Sequence, residues 1–270
     1  MLLLSVWQLF RLSTNPRDAV ASHFSTIGMP VRSEAEIYER AQQLGPLADA
    51  FDTERGVYFC WSDPSGAEVW LQVNAENEFL GMNPHFAGKS TVRVRLTARP
   101  DTGSPSSLDG RFHGWADPSA EVSDEQQGAY PFLFDAPDAA LHDALELPAT
   151  VVVQIAAFAH EIEAFDSPEA YAASQTGEMK FASQSFIPSG LFNLSDEDTP
   201  ARAEAIFAGH VLEAERRTNQ LTGNDFIWCL VETLGGVFDV VIDSELLPEV
   251  PRVGGVVHGS FWLSGRIISD

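Results

Sequence analysis

Thr150-Val-Val-Val-Gln-Ile-Ala-Ala-Phe158 and Gly255-Val-Val-His-Gly-Ser-Phe-Trp-Leu-Ser-Gly-Arg-Ile267 are the two long apolar runs that decide how this chain is built. Each run closes a similar series, because a glycine-bearing strand, an aromatic strand and a proline-marked turn come before it. A shared order of elements is the signature of a unit that is used twice. We therefore predict that residues 108–165 and 206–268 are superposable β units. Together they would form two small antiparallel barrels or one composite β domain.

The N-terminal part of the chain has a different pattern, which predicts an α+β module. Residues 24–31 favour a first strand, and Ser33-Glu-Ala-Glu36 has the form of a capping box. The helix that follows is expected to end at Gly45-Pro46. Gly56–Trp61 and Ala67–Val73 are expected to form a hairpin around the turn at Asp63–Gly66, and strands at Phe79–Met82 and Thr91–Leu96 complete the expected β-α-β-β-β order.

The expected fold class is α+β, with this β-α-β-β-β module followed by two similar small antiparallel, barrel-like β units. The first ten residues are apolar but too short to span a bilayer, so we interpret the start of the chain as an appendage. A stretch rich in proline, glycine and serine predicts a linker. The expected boundaries are 1–21 for the appendage, 22–100 for the module, 101–107 for the linker, 108–192 for the first β unit with its helix and loop, and 193–270 for the second β unit.

The charge of the chain is strongly negative and uneven. The net charge is -23, and residues 101–200 carry 18 acidic against 2 basic side chains. Nucleic-acid phosphates and anionic membrane surfaces attract lysine and arginine, so this composition disfavours both as partners. Two interpretations stay open: the acidity keeps the protein soluble, or it draws in a basic protein partner.

Motifs of common enzymes and metal sites are missing from the sequence. It has no Walker loop, dinucleotide fingerprint, nucleophile elbow or HExxH sequence. Cys60 and Cys229 lie in apolar aromatic runs and share no metal-type spacing, which is typical of small buried side chains in a reducing, cytoplasmic protein. We therefore expect no cofactor, no structural zinc and no tightly held transition metal.

One wall of polar and aromatic side chains is the best candidate for binding a ligand. If the last apolar run is a strand, alternation places His258, Trp262 and Arg266 on one face, where they offer stacking and a cation. His160 is a further candidate, although alternation would send it to the face opposite Glu161 and Glu163. The alternative for each of these residues is a structural role.

Two resemblances add expectations. Residues 23–73 resemble one module of the vicinal oxygen chelate (glyoxalase/bleomycin-resistance) superfamily, through His23 at a strand, the following helix and the Asp63-Pro-Ser-Gly-Ala-Glu68 hairpin. That resemblance implies His23 and Glu68 as metal ligands, beside the structural roles that the residues themselves favour. The whole chain also resembles a set of uncharacterised bacterial proteins that end in Phe-Trp-Leu-Ser-Gly-Arg-Ile, and this resemblance implies no activity.

Three hypotheses of function follow from the sequence. The first is a non-catalytic binding or adaptor protein with an acidic middle surface, which takes a basic protein or a small ligand. The second is an enzyme with dispersed residues, metal-dependent as the first resemblance implies or otherwise. The third is an acidic inhibitor of the immunity or nucleic-acid-mimicking type, which would need carboxylates spaced on one face. The missing catalytic motifs favour the first hypothesis.

Overall fold

The computed structural model describes residues 23–118, 128–176, 180–192 and 201–268, and β-strands dominate it. They form a four-stranded antiparallel sheet and a larger mixed sheet. The α-helices of the described residues are α1 (Glu34–Leu44) and α2 (Pro168–Ser174). Short 3-10 helices lie at Ser25–Ile27, Gly45–Leu47, Ala139–His142 and Ser189–Leu191. The appendage predicted over residues 1–21 lies outside the described residues.

The small sheet is a simple meander in which each strand pairs with the next one along the chain. The hairpin predicted around Asp63–Gly66 is present, and Gly66 has a φ of 93°, which suits glycine at the turn. The last strand is longer than predicted, and the first one was not predicted. The four strands are β1 (Asp49–Thr53), β2 (Gly56–Ser62), β3 (Ala67–Asn74) and β4 (Phe79–Phe86).

The N-terminal segment does not form the strand predicted over residues 24–31. It contains the 3-10 helix Ser25–Ile27 instead, and the Asn219 side chain donates to the Ile27 carbonyl at 3.0 Å. The Thr222 hydroxyl donates to the next carbonyl, of Gly28. Because side chains of a distant loop satisfy these backbone groups, the segment needs no neighbouring strand. The exact β-α-β-β-β order is therefore not found.

The helix α1 begins as the capping pattern predicts. The Ser33 hydroxyl accepts a hydrogen bond from the Glu36 amide, so Ser33 is the N-cap. The reciprocal bond is displaced by one residue, since the Glu36 carboxylate accepts from the amide of Arg32 rather than that of Ser33. The cap therefore still satisfies two amide groups that would otherwise lack partners at the start of the helix.

The larger sheet closes on itself twice around one shared pair of strands. Strands β8, β5, β6, β7 and β13 form one ring, and β8, β12, β11, β10 and β13 form a second. The antiparallel β8–β13 ladder belongs to both rings. The strands are β5 (Val92–Ala98), β6 (Gly110–Ala116), β7 (Tyr130–Ala136), β8 (Ala149–Phe165), β9 (Ser185–Ile187), β10 (Glu204–Thr218), β11 (Asp225–Thr233), β12 (Gly236–Asp243) and β13 (Val256–Ile268).

The two rings have the same pattern of strand pairing. In each group of four, β5 to β8 and β10 to β13, the first strand pairs with the second and with the fourth, and the second pairs with the third. The third strand of each group then pairs in parallel with the fourth strand of the other group. The barrel-like units are thus joined through exchanged strands. The superposition of residues 108–165 on 206–268 stays a prediction.

Strand β5 belongs to the larger sheet and not to the N-terminal sheet, where the predicted strand order had placed it. It pairs with β6 and β8, and the side chains of Val92, Val94 and Leu96 are buried in the ring core. Alternation explains this position, because one apolar face of β5 fills the inside of the first ring.

The N-terminal elements cover the outside of the second ring. One hydrophobic core fills the rings, and a second lies between them and the N-terminal elements. In the second core, Phe158 of β8 and Trp228 of β11 pack with residues of the small sheet such as Phe86. This packing decides which outward-facing side chains of the rings stay exposed.

Candidate functional site

The outward face of β13 carries the predicted ligand wall. Val257, Phe261 and Leu263 are fully buried in the ring core, and His258 and Trp262 alternate with them. The outward face is the side of the neighbouring strands β8, β13 and β10 that faces away from the ring core. The predicted alternation is therefore present, but the side chains on this face have separate neighbours along its length.

A β-bulge at His160 changes the expected arrangement of β8. Glu161 pairs with Ser260 and Ala159 with Phe261, so His160 is the extra residue that the ladder leaves out. Paired residues share a face of a sheet, which places Glu161 on the outward face with Ser260. His160 itself contacts His23, which stacks on the outward-facing Trp262. The expectation that His160 and the glutamates lie on opposite faces is wrong, because the bulge resets the alternation.

Near the middle of the face, two histidines share one hydrogen bond. The Nε2 atoms of His23 and His160 are 2.7 Å apart, so one imidazole donates its N–H to the lone pair of the other. The His23 ring also stacks on Trp262, with centroids 4.2 Å apart. Burial, helped by the proximity of His160, lowers the pKa of His23 to about 3. Both side chains are therefore neutral at pH 7.

The pKa of His160 responds to opposing neighbours. Burial lowers the pKa of His160, while the negative charges of Glu204 and Glu161 favour its protonated form and limit that effect. Burial is the stronger influence. His160 therefore belongs to an intramolecular pair with His23, and it does not stand alone as a ligand group.

At the other end of β13, Arg266 bridges two carboxylates between the ring and the small sheet. Its Nε donates to Asp138 at 3.1 Å, and its NH1 donates to Glu68 at 3.3 Å. The guanidinium also lies over the Trp70 ring, 4.6 Å from the centroid. Burial opposes the charge of Arg266, yet the two carboxylates raise the pKa of Arg266 overall. This cluster holds the small sheet against the ring.

The remaining wall residue, His258, lies among aromatic side chains. Its ring centroid is 5.7 Å from that of Tyr171 in α2 and 5.9 Å from that of Phe181. The Nε2 atom of His258 and the hydroxyl of Tyr171 are buried and have no hydrogen-bond partner among the residues that the structure describes. These atoms differ in this respect from the polar groups of Trp262 and Arg266, which have partners.

A network of buried polar side chains, which no sequence motif predicted, joins β4 to the rings. The Nε2–H of His85 donates to the Gln154 side-chain oxygen at 2.8 Å, and the Nδ1 atom of the neutral ring accepts from the Ser264 hydroxyl at 2.8 Å. The Gln154 amide donates to Asp239, whose carboxylate also accepts from the indole of Trp228. The sequence Asn83-Pro-His-Phe86 favours a turn at His85, but His85 lies in β4. No local pattern indicated burial, because alternation places His85 on the face of β4 opposite Met82 and Phe86.

This serine–histidine pair resembles the start of a nucleophilic site, but its burial argues for a structural role. Ser264 and His85 have no exposed surface. Burial lowers the pKa of His85, with the nearby Arg266 adding to the effect and Glu68 opposing it. A nucleophile must reach its substrate, so a pair inside the protein serves to join β4 to the rings.

Metal-binding chemistry finds little support in the geometry. His23 is hydrogen-bonded to His160, and Glu68 forms a salt bridge with Arg266. The two metal ligands implied by the chelate-superfamily resemblance therefore have different partners. Among the described residues, no group of three or more histidine, cysteine, aspartate and glutamate side chains is arranged to hold a metal ion. Cys60 is a buried free thiol whose pKa is raised to about 12, chiefly by burial.

Three carboxylates lie on the outward face, where Glu161 and Glu163 are exposed and Glu204 is half-buried. Glu161 and Glu163 on β8 pair with Ser260 and His258, and Glu204 on β10 pairs with Trp262. We call these three glutamates the acidic face. Standard strand spacings place the backbones of Glu161 and Glu163 about 7 Å apart, those of Glu161 and Glu204 roughly 12 Å apart, and those of Glu163 and Glu204 roughly 16 Å apart. Arg202 lies 3.6 Å from Glu204, and no other ion pair with a described residue involves these three side chains.

Comparisons with known proteins give no further assignment. No protein-family model matches the chain, and neither a curated protein nor a solved structure matches it. The two resemblances noted from sequence motifs thus stay expectations. Within the part of the chain that the structure describes, no helix is both long and apolar enough to cross a membrane.

Proposed function

We propose that this protein is a non-catalytic binding protein that captures a basic protein partner on its acidic face. The observation that carries the proposal is the common orientation of Glu161, Glu163 and Glu204 on β8 and β10, the two strands that flank β13. Glu161 and Glu163 are exposed and form no ion pair with a described residue. Like charges held this close repel one another, and a cationic partner would relieve that repulsion.

The polar side chains of the predicted ligand wall already have partners within the protein, which favours a binding role elsewhere on the surface over catalysis at the wall. The Trp262 indole donates a hydrogen bond to Asp135, and Arg266 forms salt bridges with Asp138 and Glu68. These polar groups contribute to internal packing, and a substrate would have to displace their partners. The exposed carboxylates of Glu161 and Glu163 form no ion pair with a described residue, so a cationic partner would displace no such contact there.

The electrostatics predict how capture depends on salt. The net charge of -23 repels anionic surfaces and steers cationic ones toward the protein. The Debye length is only ~8 Å at physiological ionic strength, so this attraction weakens strongly as salt increases. Complementary charge contributes mainly to the rate of association, so salt should slow association more than it speeds dissociation.

The test is binding of a short lysine-rich peptide to the full chain at low and high salt. The variant Glu161→Gln/Glu163→Gln removes two charges from the acidic face. A matched control, Glu39→Gln/Glu76→Gln, removes two exposed charges elsewhere. Exposed charge pairs contribute up to about 1 kcal/mol, so we expect roughly fivefold weaker binding for the first variant.

The control separates a defined surface from general charge. If the acidic face is the site, the control variant binds nearly as well as the natural chain, and high salt removes most of the binding. Equal loss in both variants would assign the effect to net charge alone and would refute the proposed site.

A further inference from the structure

The C-terminal residues of β8, 161–165, have a neighbouring strand on one side only. β5 pairs with residues 149–153 and β12 with residues 156–158, whereas β13 continues along β8 as far as Phe165. Among the described residues, no backbone outside β13 forms a hydrogen bond with the backbone of residues 161–165. The open edge is the side of this segment that faces away from β13.

The exposure of the side chains shows that this segment projects from the core. Residues 153–159 of β8 are all buried. After the bulge at His160, Glu161 and Glu163 are exposed on the outward face, and Ala164 is exposed on the opposite face. Both faces of the strand are therefore accessible beside the open edge.

The helix that follows β8 lies away from the open edge. Tyr171 of α2 packs with Val256 of β13 and Ala208 of β10 in one small hydrophobic cluster. Strand β13 separates β10 from β8, so both of these contacts lie on the side of β8 opposite to the open edge. The helix α2 thus crosses the outward face toward β10.

Backbone groups on the open edge determine what it can bind. In an antiparallel pair, successive residues of a strand direct their amide and carbonyl groups alternately toward the partner strand and away from it. At least two of residues 161–165 therefore direct both groups away from β13. A row of such donors and acceptors is a site at which an extended peptide can add to a sheet as a further strand.

The charges beside the open edge favour a basic strand. Glu161 and Glu163 are two positions apart, so their side chains leave the same face about 7 Å from each other. Directly opposite residues of an added strand lie about 5 Å away, which places alternate side chains of that strand next to these glutamates. Opposite charges at such positions stabilise the pairing, and like charges destabilise it. A second copy of this chain that offered the same edge would set glutamate against glutamate.

We infer that the open edge binds an extended segment of a basic protein as an added β-strand, with lysine or arginine at alternate positions. The intervening residues would lie on the face of Ile162 and Ala164, where β-branched side chains fit a half-buried strand surface. This inference rests on the proposed function and specifies it, because it states how the basic partner lies beside the acidic face. Backbone hydrogen bonds would supply affinity, and the glutamates would select the sequence.

The experiment uses a short peptide in which lysine and threonine alternate, together with two N-methylated isomers of it. One isomer is methylated on the lysine amides and the other on the threonine amides, so their charge and composition are the same. Only one set of amides can face β8, and a methylated amide cannot donate a hydrogen bond. At low salt, one isomer should bind the full chain at least about tenfold more weakly than the other, as expected for two lost hydrogen bonds.

Hydrogen exchange of the protein's own amides gives a second readout. In the free chain, those amides of residues 161–165 that face the open edge should exchange quickly, and those that face β13 should exchange slowly. Addition of the unmethylated peptide should slow exchange at the first set only. A partner held by charge alone would leave this alternation unchanged.

A pair of variants tests the role of the glutamates in this mode of binding. Glu161→Gln/Glu163→Gln should weaken binding of the unmethylated peptide and keep the difference between the two methylated isomers. The matched control is Asp49→Asn/Asp52→Asn, which removes two exposed charges from β1, another edge strand. It should change neither the affinity nor the difference between the isomers.

The outcomes separate this inference from the proposed function. Equal binding of both methylated isomers, with hydrogen exchange unchanged, would overturn strand addition and leave capture by the acidic face intact. Equally tight binding of a peptide with glutamine in place of lysine, still sensitive to one methylation pattern, would support strand addition and refute the capture of a basic protein. Slow exchange at every amide of residues 161–165 in the free chain would show that the edge is already covered, by this chain or by a second copy, and would overturn the inference.

Discussion

Acidification should destabilise the fold through His23, and the variant His23→Gln isolates that contribution. The pKa of His23 falls from 6.5 in the unfolded chain to about 3 in the folded protein, first because of burial and then because of His160. A lowered histidine pKa means that the unfolded chain binds the proton more readily. Stability is therefore complete above pH 6.5 and is lost as the pH falls toward 3.

The magnitude follows from linkage between protonation and folding. Near pH 5 the folded protein leaves His23 neutral, so the loss depends on the unfolded value of 6.5 alone. The resulting loss in the free energy of unfolding, relative to pH 7.5, is about 2 kcal/mol. Titratable groups that do not contact His23 act equally in the natural chain and in the variant, and His160 is the one described titratable side chain that is hydrogen-bonded to it.

The assay is urea unfolding followed by tryptophan fluorescence, because Trp262 stacks directly on His23. The difference in unfolding free energy between the natural chain and His23→Gln should shrink by about 2 kcal/mol from pH 7.5 to pH 5. Between pH 7.5 and pH 9 it should stay constant. Parallel pH profiles over the acidic range would show that His23 is not the buried neutral group described here.

Two further substitutions test the packing around the site. Arg266→Met leaves the carboxylates of Asp138 and Glu68 without their cation. About a third of the arginine side chain is exposed, so we expect the free energy of unfolding measured in urea to fall by about 2 kcal/mol. A decrease of less than about 0.5 kcal/mol would contradict the bridging role. Gly88→Ala places a Cβ 2.0 Å from the carboxyl carbon of Asp239 and should lower the free energy of unfolding by about 1–3 kcal/mol. The control is Gly81→Ala, whose Cβ meets no neighbouring atom within 4 Å and which therefore measures the effect of alanine alone. Equal thermal stability of the two glycine variants would be inconsistent with this close approach.

Local sequence patterns predicted the local structure well. The Ser33 cap, the hairpin turn at Asp63–Gly66 and the alternation of β13 each depend on residues close together in the chain. The apolar runs likewise predicted long strands, and β8 and β13 form the ladder that both rings share. The closure of the rings depends on pairings between strands far apart in the chain, such as β12 with β8. No local pattern encodes that partner.

The same limit explains the errors in the predicted site. One extra residue at His160 rotates the following glutamates onto the outward face, and an alternation pattern cannot show a bulge. The partners of Trp262 and Arg266 come from elements far away in sequence, such as His23 and Glu68. The sequence therefore predicted which residues lie on the wall, but it did not predict that side chains of the same chain contact them.

The most direct test of the proposed function is a map of where a lysine-rich peptide binds. Backbone amide chemical shifts, recorded by NMR during titration at low salt, report the contact surface. We predict that the changes concentrate on residues 161–165 of β8, 204–208 of β10 and 256–260 of β13, and that they disappear at high salt. Changes centred on the small sheet, or spread evenly over the surface, would contradict the account.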